Sequence, residues 1–76
     1  MDHEQTGLLE ARLERRGFAV QLGGEWRRRG MAVVFEDREA CAVKLIRFEG
    51  YEIAWEATFS GAPASVVMAV IAQVFP

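Results

Sequence analysis

The sequence predicts a compact α+β domain: an N-terminal helix, a four-stranded mainly antiparallel meander and a C-terminal apolar helix. Three observations carry that prediction. Residues 55–59, Trp-Glu-Ala-Thr-Phe, alternate apolar and polar, break at Gly61 and Pro63, and give way to a nearly continuous apolar run at 65–72, the pattern of strand, turn and helix. Shorter stretches with strand patterning precede it, separated by Gly-Gly, acidic and Glu-Gly turns. Leu8, Leu9 and Leu13 form a narrow stripe at helical spacing near the start.

The first helix is expected over residues 4–16, with residues 1–5 as a frayed tail. Glu4 and Glu10 lie toward its beginning, Arg15 and Arg16 lie in its last turn, and Gly17 ends it, which suits the helix dipole. Thr6 and Asp2 are both candidate caps. Residues 18–22 alternate and run into Gly23-Gly24, giving the first strand. The second strand centres on residues 31–35, with residues 26–30 extending it or forming an irregular edge. Residues 41–48 and 51–59 are the third and fourth strands, joined by a Glu49-Gly50 hairpin.

A two-residue loop at Glu49-Gly50 pairs Phe48 with Tyr51, Ile46 with Ile53, Lys44 with Trp55 and Ala42 with Ala57. A four-residue turn at 37–40 then adds Met31, Val33 and Phe35 to the same face. The expected core face is therefore Met31, Val33, Phe35, Ile46, Phe48, Tyr51, Ile53, Trp55 and Phe59. The opposite face, with Arg47 paired to Glu52, also carries Ala32, Val34, Cys41, Val43, Leu45 and Ala54. An antiparallel sheet with one wet face alternates more cleanly than this. Either the helices take one face each or a second copy covers one.

The C-terminal helix points the same way. Val66, Val67, Met68, Val70, Ile71, Val74 and Phe75 sweep roughly 200° of its circumference, about twice what a surface helix needs. Seventy-six residues make one domain, 1–76, and a chain of this length buries only roughly 60% of its unfolded surface. A lone Cys41 makes no internal disulfide, so a tight core or oligomerisation must supply stability.

Composition also narrows the function. A net charge of −2 gives no overall drive toward nucleic acid or anionic membrane. The acidic, polar start is unlike a secretory signal, and the apolar run near the end is too short to span a bilayer, so a cytoplasmic protein without membrane partners is expected. Eight of nine basic residues are Arg and Asn is absent, the bias of a GC-rich coding genome.

No pattern of catalytic, metal-binding or cofactor-binding residues emerges, so an enzyme is not expected. His3 is the sole histidine, which excludes a His-based triad or a multi-histidine site within one chain. Cys41 has no marked base and reads as a small buried residue. Glu36, Asp37 and Glu39 lack the ligand spacing of a calcium loop and read as a solvated turn. Glu52 and Glu56 fall on one side of a strand and read as charged decoration.

Two surfaces remain. An apolar one, Val66, Met68, Val70 and Phe75 on the helix or Val34, Val43 and Leu45 on the sheet, suits a homodimer or another protein partner. The other is Trp26-Arg27-Arg28-Arg29, where an aromatic beside guanidiniums suits base stacking and phosphate pairing, or else protects an edge strand by charge.

Trp55, Ala57, Phe59-Ser60, Pro63, Val66-Val67 and Ala69 resemble the closing signature of an actinomycete domain family of unknown function, common in streptomycete and mobile-element genomes. The likeness covers the last third of the chain. Ala62 departs from the Thr that often precedes the proline in that pattern, which removes a natural helix cap. The resemblance implies a similar fold and an actinobacterial phage or mobile-element origin. The expected function is a small non-catalytic interaction or regulatory module, with nucleic-acid binding as the alternative.

Overall fold

A computed structural model describes residues Asp2 to Phe75, and their side chains from Glu4 onward. Helix α1 (Asp2–Arg15) leads into strands β1 (Ala19–Val20), β2 (Trp26–Arg28), β3 (Met31–Asp37), β4 (Ala42–Glu49) and β5 (Glu52–Phe59), and helix α2 (Ala64–Val74) closes the chain. The strands form one antiparallel meander in the order β1-β2-β3-β4-β5. The α+β class holds, with five strands where four were expected.

The extra strand arises at Arg29-Gly30. Both residues take positive φ, 37° and 42°, between the paired Arg28 and Met31, so the chain makes a tight two-residue hairpin and β2 separates from β3. The positive φ at both central residues matches the twist of the flanking strands. The first strand is cut to Ala19–Val20, and Gln21 N–H closes a short loop onto Glu25 O at 2.7 Å.

Helix α1 begins earlier than expected, at Asp2, so residues 2–5 lie within it. Its inner stripe is Thr6, Leu9 and Leu13, all buried, while Leu8 is exposed. Thr6 is no cap: its hydroxyl donates to Arg38 O at 2.6 Å, which satisfies a buried polar group. Gly17, at φ 88°, ends the helix as Phe18 N–H bonds Leu13 O and Gly17 N–H bonds Glu14 O.

Both helices lie on one face of the sheet. Leu9 and Leu13 of α1 and Ala64, Val67, Met68 and Ile71 of α2 form one cluster with Phe18, Trp26, Met31, Val33, Cys41, Val43 and Leu45. Each large aliphatic side chain enclosed there stabilises the fold by about 1.5–3 kcal/mol.

The register differs from expectation by one residue, and the consequence is large. Asp37 Oδ1 accepts from the N–H groups of Glu39 and Ala40, and an irregularity between Phe35 and Asp37 sets Val33 opposite Leu45 and Phe35 opposite Val43. A one-residue slip exchanges the faces of a strand. Val43 and Leu45 therefore enter the core, and Ile46 and Phe48 turn outward. At the next hairpin the loop is Gly50-Tyr51, with Gly50 at φ 64° and Glu49 opposite Glu52. A second irregularity, beside Ala54, sets Arg47 opposite Trp55 instead of Glu52.

Candidate interaction surface

With both helices on one side, the opposite face of the sheet is uncovered. Alternation along β2, β3, β4 and β5 places Arg27, Ala32, Val34, Lys44, Ile46, Phe48, Ile53, Glu56 and Thr58 on it. One row crosses all five strands: Ala19, Arg27, Ala32, Ile46 and Glu56 are successive cross-strand partners. Beside it lie Val34, Lys44 and Thr58 on one side, and Phe48 with Ile53 on the other. Val34, Ile46 and Phe48 are half-buried, and Ile53 is 53% exposed.

The charges on this face are distributed across it. The Arg27 guanidinium lies 5.2 Å from the Phe48 ring centroid and pairs with Glu25 at 3.1 Å, leaving half of its side chain exposed. Lys44 pairs with Glu36 at 3.7 Å. Glu56 is exposed and has no cation within 4 Å among the described residues.

The second feature is an arginine-rich end where the C-termini of the two helices meet. Arg16 donates to Phe75 O at 2.7 Å, which satisfies a carbonyl at the end of α2. Arg28 and Arg47 lie 4.4 and 5.9 Å from the Phe75 ring centroid, and Phe18 packs edge-on against that ring. Arg12, Arg15, Arg16 and Met68 line an open cleft of about 280 Å³. Of the nine basic side chains, Arg27, Arg38 and Lys44 have carboxylate partners; the other six have none within 4 Å among the described residues.

The expected site residues are redistributed accordingly. Val43 and Leu45 are fully enclosed in the chain's own core and present nothing to a partner. Val34 stays on the uncovered face. Met68 is buried, Phe75 is caged by arginines, and Val70 packs half-buried against the core, so of the expected α2 surface Val66 alone is clearly exposed, at 45%. The Trp26–Arg29 stretch is dispersed. Trp26 is buried under α1, Arg27 reaches the uncovered face, Arg28 stacks on Phe75, and Arg29 occupies the turn.

The irregularity beside Ala54 also separates Glu52 from Glu56, since Glu56 joins Ile46 on the uncovered face and Glu52 joins Glu49 on the other. Cys41 is buried. The side chain of His3 lies outside the described residues. No group of metal-ligating side chains occurs among the described residues, and no helix is long and apolar enough to cross a membrane.

Ile46, Phe48 and Ile53 are surface residues that register counting missed, because the slip at 36–41 gave β4 the wrong face. Arg16, Arg28 and Arg47 are distant in sequence, and only packing around Phe75 brings them together. Searches against protein-family models, curated proteins and solved structures find no match to this chain.

Proposed function

We propose that this is a small non-catalytic interaction module that binds protein through the uncovered sheet face. The observation that supports it is the group Val34, Ile46, Phe48 and Ile53, apolar side chains that neither helix covers. A contiguous apolar group rimmed by charge is the usual makeup of a protein interface. An accessory or regulatory role in an actinobacterial phage or mobile element, in a cytoplasmic setting, is the context that the C-terminal resemblance implies.

Crosslinked capture from an actinobacterial lysate tests this reading. Wild type and Val66→Asp retain a specific captured protein, and Ile53→Glu loses it while keeping its circular-dichroism spectrum. Equal capture by all three contradicts the use of this face.

Nucleic-acid binding is the second reading, favoured by the six arginines without carboxylate partners. Three of them, Arg12 and Arg15 in the last turn of α1 and Arg16 just past it, stand at i, i+3 and i+4, where like charges repel. Bound phosphate relieves that repulsion. The reading moves the patch from Trp26–Arg29 to the cleft, because Trp26 is too buried to stack on a base. It predicts oligonucleotide affinity that falls steeply with salt and drops in the Arg12, Arg15, Arg16 triple-alanine variant. No gel shift at low salt removes it.

A further inference from the structure

We propose that the occupant of the uncovered face is a second copy of this chain, related by a two-fold axis that runs parallel to the strands between β3 and β4. The proposal rests on the interaction reading above and names the partner. Its basis is the row Ala19, Arg27, Ala32, Ile46, Glu56, one residue from each strand.

A two-fold axis parallel to the strands exchanges left and right while keeping each row over itself. Placed between β3 and β4, it sets β2 of one copy over β5 of the other, and β3 over β4. Arg27 then faces Glu56 of the second copy, and Ile46 lies over the position of Ala32, whose side chain is already enclosed by its own neighbours. In the neighbouring row Gly30, whose carbonyl accepts Phe48 N–H at 2.7 Å, faces Phe48 of the second copy, small against large. Lys44 faces Val34 and lies beside Glu36 of the second copy, so its ion pair persists or is shared. Each contact occurs twice, as an isologous interface requires.

The charge placement also makes this occupant self-consistent. Arg27 and Glu56 are three strand spacings apart within one chain, about 14 Å, too far for a direct pair. In two sheets packed about 10 Å apart face to face, both long side chains reach across the gap. Glu56, with no cation within 4 Å among the described residues, gains one.

Four strands at about 4.8 Å spacing and at most eight residues at about 3.3 Å rise give a footprint of no more than about 19 by 26 Å, and the three-residue β2 makes it smaller. That is below the roughly 800 Å² per partner of a standard interface, so a reversible dimer is expected.

Sedimentation equilibrium from micromolar to near-millimolar concentration tests the arrangement. Wild type shifts from monomer to dimer, Glu56→Arg weakens the dimer by at least about tenfold, and the double variant Arg27→Glu, Glu56→Arg regains most of that loss. Circular dichroism and thermal melts confirm folding, and Ile46→Lys, at the centre of the row, abolishes the dimer independently. A wild type that stays monomeric, a dimer indifferent to Glu56→Arg, or a double variant no better than the single one overturns the proposal. If the wild type is monomeric yet a captured protein is lost with Ile53→Glu, this proposal fails and the interaction reading stands. If neither dimer nor Ile53-dependent capture is seen, both fail.

Discussion

The side-chain oxygen of Gln5, on the first helix, accepts the backbone N–H of Ala64 at the start of the second at 2.8 Å. Pro63 occupies the cap position of α2 and offers no side-chain acceptor, and Ala62 lacks the hydroxyl that a threonine there would bring. A residue 59 positions away therefore satisfies one of the orphan donors of the helix. Gln5→Ala is expected to destabilise the fold by about 1 kcal/mol, the usual cost of a lost cap. Urea denaturation checks it. A Gln5→Ala midpoint equal to wild type would show the contact to be inert.

Glu10, Arg38 and Trp26 give the fold a pH dependence. The Arg38 guanidinium, bonded to Glu10 at 2.6 and 3.1 Å, holds the Glu10 carboxyl below the usual glutamate range against the opposing effect of partial burial. Trp26 Nε1–H is buried without a bonded acceptor but lies near enough to favour the same carboxylate, a charge–dipole attraction and not a formed bond. Because the folded value is lowered, the stabilisation is full above the unfolded value and fades as pH falls through the folded one. Arg38 is half exposed, so solvent screening holds the pair to roughly 0.5–1 kcal/mol. Arg38→Ala should lose that increment near neutral pH, and the pH-dependent part should vanish in strong acid. A gap between the two proteins that stays constant across pH would count against the ion pair.

Leu45 and Ile46 are neighbours on opposite faces. Leu45 is fully buried beneath the helices, while Ile46 is half-buried on the uncovered side. Leu45→Ala should cost about 2–5 kcal/mol, as for other enclosed leucines, and Ile46→Ala distinctly less. Thermal unfolding at low concentration separates folding from association. The reverse order would mean that β4 is registered one residue away.

Arg29 holds φ 37° in the tight β2–β3 turn, a conformation that costs an ordinary L-residue roughly 1–2 kcal/mol. Asn tolerates it better, and Asn-Gly is the preferred pair for such a hairpin. Arg29→Asn should therefore raise stability by up to about 1 kcal/mol. An unchanged or lower melting temperature would show that the Arg29 side chain compensates for its backbone.

Much of the architecture can be read from residue pattern because alternation and punctuation are local. The strand at residues 52–59, the turn at Gly61 and the helix after Pro63 need no partner to be recognised. Face assignment is different, since it depends on single residues inside turns. The shift around Glu36 and the one beside Ala54 cannot be seen in apolar spacing, and together they exchange Leu45 for Ile46 and part Glu52 from Glu56. The surplus of apolar side chains on the sheet was legible. Which residues formed that surplus was not. On α2 the surplus is largely absorbed by α1, the sheet and the Phe18–Phe75 contact, so the case for association moves from the helix to the sheet.

The central claim is that the uncovered face, and not α2 or the arginine cleft, is the working surface. Two-dimensional NMR on dilution tests it most directly, by following methyl and amide signals from near-millimolar to micromolar protein. The account predicts that signals of Val34, Ile46, Phe48 and Ile53 move with concentration while those of Val66, Arg12 and Arg15 stay fixed. Concentration-dependent shifts confined to Val66, Arg12 and Arg15, with the sheet-face signals unchanged, would contradict it.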